Sequence, residues 1–257
     1  MESTADDFLV GAKCAICLEI MNVASATALP CTHAFHGDCV AQLRNIGVSE
    51  VCPLCRTPLP PGPEKVFEEA TRCFMVVFKR VERGEASWSA LPPAMQQDVD
   101  ADVSGWQTAA TSGDVGAQYN LGQLFDSGQG VVQDYAEAAK WYTMAAEDGF
   151  ADAQHKLGIL YVHGRGVPQS YKIAVQWYKK AAVQGFVESQ FNLGTNFERG
   201  RGVPQSYKEA ARWFRMAADQ GNREAQFSLA VLYCEGRGVT QSKKEAARWY
   251  KKQLTRG

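Results

Sequence analysis

Long apolar runs are missing from this chain of 257 residues: stretches such as CFMVVF at 73–78 stop after six. About 20 would be needed to cross a bilayer, so no membrane span is expected. Positive charge is not in excess either, with 27 Lys and Arg against 28 Asp and Glu, and residues 1–60 carry three of the first kind against six of the second. A field able to hold nucleic acid or an anionic membrane is therefore not expected. The opening MESTADDFLV lacks a basic segment followed by an apolar one, which argues against a secretory leader and for a cytoplasmic or nuclear protein rather than a secreted one. Histidine is scarce as well. Of the four present, two fall inside CTHAFHGDC at 31–39, between two cysteines.

Six of the eight cysteines lie within residues 14–55, while Cys73 and Cys234 stand apart and are expected as buried thiols. Histidines interspersed at ligand spacing favour metal over a disulfide framework. Read as donors, the segment spells C-x2-C-x13-C-x-H-x2-H-x2-C-x12-C-x2-C, naming Cys14, Cys17, Cys31, His33, His36, Cys39, Cys52 and Cys55. Eight thiolate and imidazole donors fill two closed tetrahedral zinc sites and leave no position for a reactive water, so the metals are read as structural. So short a segment cannot bury a self-supporting core, and each zinc would contribute ~10 kcal/mol or more to its folding.

This spacing resembles the RING finger, in the form with histidine at both the fourth and fifth ligand positions. A PHD finger would instead have a single histidine, at the fifth. The resemblance implies a small zinc-stabilised α+β cross-brace, with Cys14, Cys17, His36 and Cys39 on one zinc and Cys31, His33, Cys52 and Cys55 on the other. It further implies a ubiquitin ligase that binds a ubiquitin-charged conjugating enzyme. Ile16 and Pro53 match the family's groove for that partner. Leu43 stands where a tryptophan is frequent, and Arg56 matches the linchpin that contacts both conjugating enzyme and ubiquitin. Arginine's planar fork of donors suits such bridging. No nucleophile or base of the chain's own is implied. A non-enzymatic scaffold, using the zinc module and repeats only for assembly, is the alternative.

From about residue 115 the sequence repeats every 36 residues. Leu121, Leu157, Leu193 and Leu229 keep this step, as do Trp141, Trp177, Trp213 and Trp249, with a Gly-x-Gly-Val element between. Such a period denotes a solenoid. Ala117, Leu121 and Phe125, then Ala138, Trp141 and Ala145, recur at helical spacing, so each unit is read as two helices. Asp134, Ser170, Ser206 and Ser242, three residues past each valine, are placed to cap the second helix. Gly122, Gly158 and Gly194 fall within the first, where glycine costs ~1 kcal/mol, which predicts close helix contact. The tryptophans are read as core. The pattern resembles the Sel-one-like repeat, a relative of the tetratricopeptide repeat, which implies an all-α solenoid that binds a protein along its first helices. Candidate contacts are the residues that vary between units: Asn120, Lys156, Asn192 and Ser228 at one register, Ser127, His163, Arg199 and Glu235 at another. His155 and His163 are read as incidental.

The expected organisation is a zinc module at 1–60, a proline-rich linker with connecting helices at 61–104, and repeats over 105–257. The repeats fall at about 115–150, 151–186, 187–222 and 223–257, and WQTAATSGD supplies a half-repeat cap at 105–114. Within the linker, Val66, Ala70, Cys73, Val77 and Val81, broadened by Phe67, Phe74 and Phe78, predict a helix from 64 to about 83. Its apolar face is expected to dock locally, with a homodimer helix as the alternative; CFMVVF as a strand is the other reading. The partners expected are a conjugating enzyme with ubiquitin and a protein substrate or adaptor.

Overall fold

The computed structural model describes residues 26–28, 34–36 and 63–254. Two compact units divide the chain, Met1–Glu69 and Ala70–Gly257. In the first, β1 (Ala26–Ala28) and β2 (Ala34–His36) pair antiparallel, Ala26 opposite His36. His36 is thus placed by its backbone alone. Cys14, Cys17, Cys31, His33, Cys39, Cys52 and Cys55, with Ile16, Leu43, Pro53 and Arg56, lie outside the described residues.

Helix α1 (Pro63–Glu82) takes CFMVVF as helix, not strand. Ala70, Phe74 and Val77 are its buried residues, three and four apart, so they form one stripe. The Phe74 ring stacks on Trp88 with centroids 5.6 Å apart and meets Trp106 at 4.8 Å. Trp106 Nε1 donates to Thr71 Oγ1 at 3.1 Å, which satisfies an indole N–H that burial would otherwise leave bare. Local docking therefore covers this stripe, and Phe74 and Val77 are not open to a second copy. Cys73, expected buried, is exposed, because Phe74 one position on occupies the inward direction. Cys234 is exposed too.

Helix α2 (Pro93–Thr111) starts where Pro92 holds an extended backbone and Pro93 pre-sets the first turn. The expected half-repeat at 105–114 is accordingly the end of a longer helix. That end does play the part of a preceding unit. Gln118 Nε2 donates to the Ala110 carbonyl as Gln154, Gln190 and Gln226 donate to those of Ala146, Ala182 and Ala218.

Four helix pairs follow: α3 (Val115–Ser127) with α4 (Tyr135–Glu147), α5 (Ala151–His163) with α6 (Tyr171–Val183), α7 (Val187–Arg199) with α8 (Tyr207–Asp219), and α9 (Arg223–Glu235) with α10 (Lys243–Leu254). First helices form one layer and second helices the other. The second helices begin as the sequence predicts: side chains of Asp134, Ser170, Ser206 and Ser242 accept from backbone N–H groups of the following turn. The first helices of units two and three have no such cap. Phe150 and Phe186 stand at those positions and pack their rings on Tyr119 and His155 of the preceding unit instead.

Two glycine positions set how closely the helices approach. A Cβ on Gly122, Gly158 or Gly194 would lie 2.5, 2.5 and 2.6 Å from ring carbons of Tyr142, Tyr178 and Phe214, so each first helix seats a ring of its partner directly on its backbone. In the fourth unit Ala230 takes this place and the corresponding Tyr250 is only half-buried. Further on, Gly166, Gly202 and Gly238 carry φ of +67°, +74° and +67° and lie against backbone atoms of Tyr135, Tyr171 and Tyr207 in the unit before. No side chain fits there. These rings also correct the sequence reading of the core. Trp213 and Trp249 are buried as expected, but Trp141 and Trp177 are only half-buried, and the rings sealed most deeply in the first three units are the next ones along, Tyr142, Tyr178 and Phe214.

Candidate functional site

Each first helix offers one stripe that is not packed inward. The two variable registers lie seven residues apart, nearly two full turns, and so share that stripe. Asn120, Lys156, Asn192 and Ser228 are half-buried along it; Ser127, His163, Arg199 and Glu235 are exposed at its end. Gln123, Ile159, Thr195 and Val231 fall between them. The surface is mixed: Ser127 spends its hydroxyl on the Gln123 carbonyl at 2.8 Å, and Asn192 lends its carbonyl to Asn196 Nδ2 at 2.8 Å. This variation suits selective contact with a polypeptide.

His155 is not incidental. Its ring is buried between Tyr178 and Phe186, with centroids 5.7 and 4.9 Å away, and Nδ1 lies 2.9 Å from Ser189 Oγ. Burial holds its pKa down at about 4, outweighing the nearby Glu188 carboxylate, so the ring is neutral at physiological pH. It is a packing residue, and His163, exposed a further two turns on, does not share its surroundings.

Asp102 is a second buried ionisable group. Burial first, and Asp98 second, push its carboxyl up to about 6. Oδ2 has no hydrogen-bond partner among the described residues. Tyr119 is pushed up to about 12, chiefly by burial, with Asp152 and Asp126 adding to it. Among the described residues no cluster of His, Cys, Asp and Glu is able to hold a metal.

Charge is divided between the two layers, which the whole-chain balance concealed. Helices α6, α8 and α10 carry eleven Lys and Arg against Glu209, Asp219 and Glu245, whereas the four first helices carry three against six. The signal was present in the sequence at register positions four and seven residues apart. It appears only when charges are counted by helix face instead of over the chain.

Residues 12–56 match the Ring finger domain, and residues 115–150, 151–186, 187–222 and 223–252 match the Sel1 repeat. Over 70 residues the chain is 42% identical to the E3 ubiquitin-protein ligase RDUF1 of Arabidopsis thaliana, covering 26% of this chain and 17% of that one. Over 75 residues it is 39% identical to the E3 ubiquitin-protein ligase TRIM56 of Homo sapiens, covering 29% and 9%. The chain thus spans less than a fifth of the length of these curated relatives, and the likeness falls on the Ring finger region. Among solved structures, a Sel1 repeat protein from Oxalobacter formigenes matches with a TM-score of 0.65 and 26% identity, over 86% of this chain and 79% of that one. The protective antigen c5321 of uropathogenic Escherichia coli matches with a TM-score of 0.63 and 30% identity, over 76% and 41%.

Proposed function

Because the chain belongs to the Sel1 repeat family and carries a Ring finger at residues 12–56, we propose that it is a RING-type ubiquitin-protein ligase whose solenoid recruits a protein substrate or adaptor. The observation that carries this reading is the full set of eight donors inside the matched segment, with Arg56 at its last residue. Thiolates and imidazoles at these spacings are the donors that closed zinc sites take. Cys14, Cys17, His36 and Cys39 would hold one zinc; Cys31, His33, Cys52 and Cys55 would hold the other. The metals supply folding energy and rigidity, not Lewis acidity. A reducing cytoplasm or nucleus keeps such thiols available as ligands.

Ile16, Leu43 and Pro53 would form the apolar contact for the conjugating enzyme, and Arg56 would donate hydrogen bonds to both that enzyme and its ubiquitin. In the reaction, a lysine amine of the substrate attacks the ubiquitin thioester and displaces the conjugating enzyme's thiol. The chain contributes no covalent intermediate. It holds the ubiquitin C-terminus and the incoming lysine in reactive geometry, which converts a chance encounter into an effectively intramolecular step.

Ubiquitin discharge from a panel of charged conjugating enzymes onto free lysine tests the proposal. Wild type should accelerate discharge with at least one of them. Arg56→Ala should keep its zinc content and folding yet lose about tenfold or more of that acceleration. Absence of acceleration with every enzyme of the panel would sink the ligase reading and leave a scaffold built on a structural zinc module.

A further inference from the structure

The second-helix layer of units two to four presents a cationic outer face. Lys172, Lys208 and Lys244 occupy one register, Arg212 and Arg248 the position four residues on, and Lys179, Arg215 and Lys251 the position seven residues on. Steps of four and seven place these side chains on one side of each helix, and all eight are exposed. The three helices together carry a net charge of +8, within a chain whose net charge is -1. Part of that charge is engaged: Lys252 meets Asp219 at 3.7 Å, Arg248 meets Glu245 at 3.6 Å, and Lys180 Nζ sits 3.8 Å from the Trp177 ring centre. Lys172, Lys179, Lys208 and Lys244 make no ion pair among the described residues.

We propose that this face docks an acidic segment of a protein. The inference rests on the reading that the repeats recruit a protein, and it names the chemistry of what is recruited. Two features favour a polypeptide over nucleic acid. Exposed apolar side chains lie among the cations, with Val183 at 65% and Met216 at 37% of full exposure, and these suit apolar residues of a peptide better than sugar and phosphate. The face is also short. On α4, in the first unit, Lys140 is paired to Glu137 at 2.5 Å and Glu147 adds a further negative charge, so the cationic rows end there. At physiological ionic strength attraction fades within ~8 Å, so a long polyanion would run past the face onto neutral or acidic surface, whereas a short acidic segment would not.

The test uses the full chain and a fluorescein-labelled peptide repeating Glu-Asp-Leu-Glu, read by fluorescence anisotropy. A DNA duplex of about two turns and vesicles of phosphatidylcholine with phosphatidylserine serve as competing probes. The peptide should bind, and weaken about tenfold between ~50 and ~300 mM salt as screening shortens. The triple variant K172E/K208E/K244E should bind it about tenfold less well, since a row of three charges is reversed. The milder K172Q/K208Q/K244Q serves if the reversal fails to fold. Glu198→Lys on the first-helix layer should change nothing. Failure of the peptide to bind, tighter binding of duplex or vesicles, or an unchanged triple variant would each overturn the proposal. Discharge onto free lysine by the same proteins needs no recruited substrate, so intact discharge without peptide binding sinks this inference alone.

Discussion

Nδ1 of His155 lies 2.9 Å from Oγ of Ser189, across the junction between the second and third units. The pair is matched within the repeats. Where the first and third units place Tyr119 and Phe191 they are followed, one unit on, by Ala153 and Ala225; the single histidine at this register faces the single serine. Breaking one partner leaves a buried polar atom bare, while replacing both restores the pattern of the neighbours. His155→Phe and Ser189→Ala alone should each destabilise by about 1–2 kcal/mol, and the double variant by clearly less than their sum. Additive losses in a double-mutant cycle of thermal or denaturant unfolding would remove the coupling.

The same pair gives a pH signature. His155 in the fold titrates near 4 instead of its ordinary 6.5, so between these values the unfolded chain binds a proton that the folded chain does not. Stability must then fall as pH drops from 6.5 towards 4, by roughly 3 kcal/mol. Subtracting the unfolding curve of His155→Phe/Ser189→Ala from that of wild type at each pH isolates this contribution; a flat difference would show that His155 does not carry it.

Gly158 tests the close helix contact. Alanine is the better helix former by ~1 kcal/mol, yet its methyl would sit 2.5 Å from Tyr178 Cε1, and a fully packed interior gives way only at a cost. Gly158→Ala should therefore lower stability by about 1–3 kcal/mol. Ala230→Gly in the fourth unit, where the buried methyl is already accommodated, should lose about 1 kcal/mol or more, through helix propensity together with the lost methyl contacts. A stabilised Gly158→Ala would mean that the ring moves aside freely.

What was legible in the sequence follows from how local each cause is. Helix pairs, the Asp134 and Ser170 caps and the tight glycines are written in a repeat whose register exposes itself four times. The docking of Phe74 on Trp106 was visible only as an apolar stripe in want of cover, since the covering residue is 32 positions away. Tyr142 was passed over beside the larger Trp141, because the ring that enters the core is chosen by the glycine opposite. Cys73 was misplaced by a stripe read too broadly. The basic face went unseen because acidic residues spread over the rest of the chain, in residues 1–60 and 83–114 as well as on the first helices, offset it in the sum.

Asp148 explains a bare acceptor and suggests its repair. Gln184 Nε2 donates to Gln154 Oε1 at 2.9 Å and to the Gly149 carbonyl at 2.9 Å, and Gln220 does the same for Gln190 and Gly185. In the first unit this position is Asp148, which as a carboxylate has nothing to donate, and Gln118 Oε1 is left buried without a partner. Asp148→Gln should complete the ladder, with bonds to Gln118 Oε1 and the Gly113 carbonyl, and stabilise the first unit by about 1 kcal/mol. A rise in the melting temperature that Gln118→Leu abolishes would bear this out; an equal rise in both backgrounds would assign the gain to surface charge.

Asp102 supplies the opposite pH signature. Its carboxyl, held near 6 by burial and by Asp98 against an ordinary 3.8, binds a proton in the fold at pH values where the unfolded chain has released it. Its contribution therefore becomes less favourable as pH rises from 3.8 to 6, and stays so above, because an ionised carboxylate with a bare Oδ2 is then buried. Asp102→Asn keeps the shape and cannot ionise. It should stabilise the chain by about 1–2 kcal/mol at pH 7 to 8, with the gain shrinking steadily as the pH is lowered towards 4. Thermal melts of both proteins across that range decide the matter: a gain independent of pH would place the benefit in packing or hydrogen bonding, and no gain at neutral pH would mean that the carboxylate finds enough water to remain solvated.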